Sequence, residues 1–260
     1  MSLQAKLDAP LAGKGALVTG GSRGIGVISA LDRRFASPCT FIVSNGTHNS
    51  SEEIIMSRTI KFTKAGGPEV LEFIETKVKA PGPHEVRIKV KAIGINRAES
   101  MWRNDKYVEP VKYPAGLGYE AAGIVDAVGQ DVTGIAVGDE VNLIPSFSMT
   151  QYTTYGEVII APDYAVVKHP KSLSFVEAAS IWMMFLTAYG ALIEDAKVTK
   201  GDFVIIPGAS SSVGLAAIQI ANYAGATSIA LTRTSEKRKQ LLGAGAVHVI
   251  STKSRIWSPK

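Results

Sequence analysis

The chain is 260 residues long, carries a formal net charge of +5, and is 46% apolar and 20% charged. That length holds one large domain or two ordinary ones with a proper core, and this balance of apolar and charged residues excludes wholesale disorder. A single cysteine, Cys39, excludes an intramolecular disulfide framework and any multi-cysteine zinc cluster, and it fits a reducing compartment. The basic excess is spread thinly. Its densest run, Lys237-Arg238-Lys239, reads as a solvated helix face and not as a nucleic-acid footprint.

In chain order, residues 1–35 read as strand (Gly15–Thr19), glycine loop (Gly20–Gly26) and helix (Val27–Phe35), and residues 36–57 as a Ser/Thr/Asn-rich linker. The first 20 residues lack the apolar core of a secretory signal. From Met56 to about Lys171, short alternations such as Val86-Arg-Ile-Lys-Val90, punctuated by Gly and Pro, predict a β-barrel-like region. Ser174 and Glu177 then form a capping-box pattern. The apolar run Ala178–Ile193 is shorter than the roughly 18 residues of a spanning helix, and acidic residues close it at both ends. It is expected to be a buried core helix in a cytoplasmic protein with no membrane contact.

The pattern that follows is βαβαβ. Phe203–Ile206 suits a buried parallel strand, Leu215–Ala224 a helix ended by Gly225, and Ser228–Thr232 a second strand. Ser235 is placed to cap a second helix ended by Gly243 and Gly245, and Val247–Ile250 suits a third strand. Such a unit is one mononucleotide-binding half of a doubly wound sheet.

Between the first strand and its helix lies Gly208-Ala209-Ser210-Ser211-Ser212-Val213-Gly214. Small residues there let a phosphate reach backbone N–H groups at a helix N-terminus, and the serines add hydroxyls. The same loop also suits a tight structural turn. The second strand ends at Thr232 with no acid to hold ribose hydroxyls; Arg233 follows, with Lys237 one helical turn on. Two cations there suit the 2′-phosphate of NADPH better than NADH, although two surface cations at a strand–helix junction fit the pattern as well.

These residues resemble the medium-chain dehydrogenase/reductase superfamily over residues 56–252, closest to its zinc-independent quinone oxidoreductase-like members. The motif that carries the resemblance is Gly118-Tyr-Glu-Ala-Ala-Gly-Ile-Val-Asp-Ala-Val-Gly129, then Val132 and Gly138-Asp-Glu-Val141. Ala92–Asn96, Phe185–Leu192 and Gly208–Gly214 support it. The resemblance implies an α/β-plus-β architecture: a GroES-like substrate domain (56–173), then a partial Rossmann-like NADPH-binding domain (174–260) that stops before the second half-sheet. Zinc-dependent relatives carry ligands where this chain has Asn96 and Tyr119, so no metal is expected. Without a Lewis acid, an activated acceptor such as a quinone or an α,β-unsaturated carbonyl is the expected small-molecule substrate. By the same resemblance Asn96 would lie near nicotinamide and substrate, Thr187 would contact the nicotinamide, and Tyr119 would donate to a carbonyl or simply pack. Relatives are often homodimers, through a sheet edge that belongs to the later part of the fold, which leaves the oligomeric state open.

Residues 12–34 resemble the start of an unrelated family, the short-chain dehydrogenase/reductases, through Thr19-Gly20, Gly24 and Gly26, with Arg23 suited to a 2′-phosphate. Two such beginnings suggest a joined or mispredicted reading frame. A Tyr-x-x-x-Lys pair occurs at Tyr164 and Lys168, but Pro162 and Pro170 bracket it, against the single helical face that proton transfer would need. Three functions are therefore carried forward: an NADPH-dependent reductase of the quinone or enone type, an inert nucleotide-binding or interaction remnant, and a short-chain-type carbonyl reductase.

Overall fold

The computed structural model describes residues 55–253, together with the backbone of 17–19 and 26–29. From Val27 onward the chain divides into two compact units at Ala179/Ser180.

The first unit is built on antiparallel sheet. After β1 (Leu17–Thr19) and β2 (Gly26–Ser29) come a hairpin of β3 (Ile55–Lys61) and β4 (Glu72–Val78), then β5 (Glu85–Gly94), β6 (Glu120–Val128), β7 (Glu140–Leu143), β8 (Val158–Pro162) and β9 (Val166–Lys168). The large sheet runs β1-β2-β5-β6-β7-β9, with β8 also on β5. Its alternating β-branched residues turn Val86, Ile88, Val125 and Val141 into one apolar core with Leu143 and Ile159. Two short helices accompany the sheet: α1 (Arg97–Arg103) and α2 (Phe175–Ala178). The second approaches the sheet closely because the buried centre of the contact is made of alanines, Ala92 and Ala122 against Ala178 and Ala179, with Leu173, Phe175 and Val176 packed around it. Its capping box forms as the sequence predicts: Glu177 N donates to Ser174 Oγ, and Ser174 N to Glu177 Oε2 at 2.8 Å.

At Gly26–Ser29 the sequence predicts the start of a helix, but the chain is extended there and pairs antiparallel with β5, Val27 opposite Gly94 and Ser29 opposite Ala92. Val27 and Ile28 are β-branched and fit an open ladder better than a helix. The loop residues Gly20–Gly24 with Arg23, the linker residues 36–54 and Cys39 lie outside the described residues; the linker's last residues, 55–57, are not linker but the start of β3.

The second unit contains α3 (Trp182–Tyr189), continued by a π-helical turn (Gly190–Asp195), then β10 (Phe203–Ile206), α4 (Ser212–Tyr223), β11 (Thr227–Thr232), a 3₁₀ turn (Ser235–Lys237), α5 (Arg238–Gly243) and β12 (His248–Ser251). The three strands form a parallel sheet in the order β10-β11-β12. Val204, Ile206, Ala230 and Val249 meet Ile218 and Ala221 of α4 and Leu241 of α5 in its core.

Three local expectations need correction. The Ala178–Ile193 run is not a buried helix: only Ala178, Ala179 and Ala188 are buried, and Leu186 and Tyr189 are exposed. Helix α3 is apolar all round while one neighbouring face covers it, so part of its apolar surface is left out. Phe175–Asp195, at 21 residues, is long and apolar enough to cross a membrane by length and composition alone, although α2 and α3 are separate helices within it. Strand β10 is buried on one face only, with Phe203 72% and Ile205 64% exposed. Finally, Ser235 lies inside the 3₁₀ turn and Thr234 takes the cap position without a side-chain cap bond.

Candidate active site

In the first unit, β5 delivers the chain to Asn96, an extended N-cap residue at the start of α1. Three residues on, Glu99 reaches back to accept a hydrogen bond from the Asn96 backbone N–H, half of a capping box. The same carboxyl accepts from Tyr119 N at 3.2 Å and from Tyr155 Oη at 3.1 Å. Asn96 Nδ2 donates to Glu120 Oε2 at 2.8 Å, while the buried Asn96 Oδ1 has no partner in the structure. Asn96, Glu99 and Glu120 are each at most 4% exposed. Burial pushes the Glu99 carboxyl up to about 8; hydrogen bonds from Asn96, Tyr155 and Tyr119 oppose the rise, and the nearby Glu120 adds to it.

Tyr119 packs into an aromatic cluster, its ring 6.3 Å from Tyr107 and 5.9 Å from Phe147, with Trp102 6.4 Å from Tyr107. Burial raises its phenol well above the ordinary range, and a side-chain hydrogen bond to Tyr107 acts in the same direction. Tyr119 is thus a neutral hydroxyl in an aromatic wall.

In the second unit, the loop from Gly208 to Ser211 joins β10 to α4. Gly208 takes a positive φ of 61°, which glycine adopts without strain. Ala209 is fully buried, and its N–H is tied to Leu231 O at the end of β11. A Cβ on Gly214 would come within 2.6 Å of Ala209 Cα, so only glycine lets the first turn of α4 close onto the loop. Ser211 caps the helix by accepting from Gly214 N at 3.1 Å. The hydroxyl of Ser212, in the first helical turn beside Val213, is buried without a partner. Lys237 Nζ donates to Ser210 Oγ at 3.1 Å, which brings together two residues that the sequence reading placed in one site. Arg233 is exposed just after the buried Thr232, and its carbonyl accepts from Lys253 N. Thr187, on α3, is exposed and donates its hydroxyl proton to Met183 O at 2.6 Å. It keeps its lone pairs for an incoming donor.

A small loop, an orphaned hydroxyl in the first turn of a helix and an ammonium at the loop's edge fit a phosphate-bearing cofactor. Among the described residues no group of three or more His, Cys, Asp or Glu is arranged to hold a metal ion. Tyr164 is 63% exposed in a 3₁₀ turn and Lys168 lies on β9, paired with Asp139 Oδ2 at 2.9 Å. They share no helical face.

Glu99, Glu120 and Tyr155 were not among the residues singled out from sequence. Asn96-x-x-Glu99 is a capping-box spacing that could have marked Glu99; Tyr155, 56 residues away from it, carries no such signal.

The model of the alcohol dehydrogenase GroES-like domain matches residues 82–171. Human quinone oxidoreductase is 36% identical over 197 residues, which are 75% of this chain and 59% of that protein. The structure of Escherichia coli quinone oxidoreductase complexed with NADPH superposes with a TM-score of 0.68 at 34% identity, covering 76% of this chain and 59% of that one. The CurK enoyl reductase gives a TM-score of 0.69 at 30% identity, covering 76% and 60%. The chain thus spans about three fifths of the length of the relatives it matches.

Proposed function

Because the chain belongs to the medium-chain dehydrogenase/reductase superfamily and is quinone oxidoreductase-like, we propose that this protein is a cytoplasmic, zinc-independent, NADPH-dependent oxidoreductase that reduces a quinone or an α,β-unsaturated carbonyl. The observation that carries this reading is the Gly208–Gly214 loop, with its orphaned Ser212 hydroxyl and Lys237 fixed over Ser210. The reported NADPH complex of the Escherichia coli relative supports the choice of cofactor.

When bound, NADPH supplies a hydride from its nicotinamide, which together with one proton converts a quinone to a hydroquinone. Backbone N–H groups in the first turn of α4 and the hydroxyls of Ser210, Ser211 and Ser212 would hold the pyrophosphate. Lys237 and Arg233 would take the 2′-phosphate as charge-assisted donors. Thr187 would accept from the carboxamide. Asn96, with its unpaired acceptor, and Tyr119, a phenol held neutral, would orient the substrate among Tyr107 and Phe147, whose rings suit a planar acceptor.

The test is a titration of the purified 260-residue chain with NADPH, followed by nicotinamide fluorescence, with NADH for comparison. Saturable binding that prefers NADPH is expected. Lys237→Ala should weaken NADPH by on the order of tenfold and leave NADH nearly unchanged, the loss of one charge-assisted hydrogen bond. Equal affinity for the two cofactors would remove the 2′-phosphate assignment, and binding of neither would remove the function. A second reading, a nucleotide-binding protein without turnover, is favoured by the uncovered β10 face at Phe203 and Ile205. Saturable NADPH binding with no oxidation of NADPH by any quinone or enone would select it.

A further inference from the structure

Glu99 connects the two residues read above as substrate contacts. One carboxylate oxygen accepts from the Asn96 backbone and from Tyr155 Oη, the other from the Tyr119 backbone. The donors stand 3, 20 and 56 residues away in sequence, so one side chain pins three distant segments. Helix capping alone does not account for this arrangement: a cap works equally well at a solvated helix end, whereas Glu99 is only 2% exposed, where a carboxyl is costly unless its hydrogen bonds are made. We propose that Glu99 is a positioning residue whose carboxyl fixes Asn96 and Tyr119 relative to each other, with Tyr155 holding the carboxyl in place. The inference rests on the reading of Asn96 and Tyr119 as substrate-side groups.

The chemistry of the clamp depends on protonation. The ionised carboxylate has lone pairs for all three donors. The acid form carries a hydrogen of its own, which Tyr155 can accommodate only by turning from donor to acceptor. The titratable groups around Glu99 are Glu120 on β6, Tyr119 just before β6, Tyr155 ahead of β8, and Arg103 on its own helix, acting through Tyr155. Glu120 opposes ionisation, and the clamp is complete only above about pH 8.

The experiment uses the full chain as wild type, Glu99→Gln, Glu99→Asp and Tyr155→Phe. The amide ¹H–¹⁵N shifts of Asn96 and Tyr119 are followed against pH, and kcat and KM for a benzoquinone with NADPH are measured over the same range. In the wild type both amides should titrate together with a midpoint near 8, and kcat should rise through that midpoint. In Glu99→Gln an N–H₂ must face a backbone N–H donor. The shared titration should vanish and kcat fall on the order of 10- to 100-fold with KM nearly unchanged, the mark of lost alignment as opposed to lost binding. Glu99→Asp, shorter by one methylene, should keep the titration and recover part of kcat. Tyr155→Phe removes a donor to the carboxylate and should move the midpoint upward. Amides that titrate independently or not at all overturn the proposal, as does a Glu99→Gln enzyme that keeps both kcat and its rise with pH. If Glu99→Gln does not fold, the wild-type and Tyr155→Phe titrations decide alone. Concerted titration in a protein that reduces no quinone supports the clamp and overturns the hydride-transfer reading, so the two fail separately.

Discussion

The two units keep their polar groups in opposite ways. Around Asn96 they are turned inward and paired with one another: Asn96 on Glu120, Glu99 on two backbone N–H groups and a tyrosine, all nearly out of solvent. Around the Gly208–Gly214 loop they stay near the surface, with Gly208 and Arg233 exposed and Ser210, Ser211, Ser212 and Lys237 half-buried. The difference matches the ligands the two clusters would take. A neutral carbonyl is best oriented by groups that are already fixed and dry, where each hydrogen bond is strongest. A phosphate is charged and strongly hydrated, and a partly exposed helix end flanked by cations receives it at lower desolvation cost.

The largest effects should come from breaking one unit while sparing the other. Trp102 is 1% exposed and donates from Nε1 to Gly116 O at 3.0 Å. Trp102→Ala should therefore cost the first unit about 3–5 kcal/mol, seen as an early denaturant transition, while NADPH binding by the second unit persists. Gly214→Val is the converse. Its Cβ would meet the Ala209 backbone, at a cost of about 1–3 kcal/mol for overpacking. NADPH-dependent fluorescence should vanish while the transition of the first unit stays in place. A single transition shifted equally by both changes would show that the two units do not unfold separately.

A smaller effect sharpens the contrast. The folded-state value for Glu99, about 8, lies above its ordinary 4.5, so the folded chain holds a proton that the unfolded chain has released. Stability from this group is fully present below about pH 4.5, declines as pH rises toward 8, and levels off beyond. The slope should approach about 1.4 kcal/mol per pH unit. Denaturant melts of wild type and Glu99→Gln at a series of pH values should differ by that slope; parallel curves would mean that Glu99 titrates at its ordinary value in the folded chain.

Much of the second unit was legible because its signals are local. The strand–loop–helix around Gly208–Gly214 follows from residues adjacent in sequence, and Gly225 and Gly245 take the positive φ values that end helices. The sequence assigns Ser210 to the phosphate loop and Lys237 to a 2′-phosphate, and the fold brings the two side chains within hydrogen-bond distance. The first unit was legible as sheet but not as a site. Its hub depends on Tyr119 and Tyr155 returning to Glu99 through sheet pairing, and nothing near Asn96 encodes that return. The exposure of α3 and β10 was missed for a related reason: an apolar run records what a segment would bury, and the chain it packs against decides how much of it is buried.

The smallest effect concerns an ion pair at the surface of the first unit, whose pH dependence should run opposite to that of Glu99. Arg58 on β3 binds Glu157 through its guanidinium, at 2.9 Å from Nε, and through its backbone N–H at 3.1 Å. Both side chains are about one third exposed, at 33% and 32%. The hydrogen bond from Arg58 holds the Glu157 carboxyl below its ordinary range, against some opposing burial. A depressed carboxyl stabilises the fold above about pH 4.5 and loses that contribution as pH falls through its folded value. Because solvent and salt screen so exposed a pair, Glu157→Gln should cost no more than about 1 kcal/mol near neutral pH and nothing in acid. The loss should be felt at the β3–β4 hairpin, which Arg58 ties to the segment entering β8 beside the Thr59–Gly156 bridge. Faster amide exchange confined to Ile55–Val78 in Glu157→Gln is the expected result. Unchanged exchange there would mean that the backbone bonds of Arg58, Ile60 and Phe62 to Glu157, Tyr155 and Ala115 hold the hairpin without the ion pair. Stability that falls with rising pH from a buried carboxyl and rises with pH from an exposed pair then separates the two kinds of acid within a single unit.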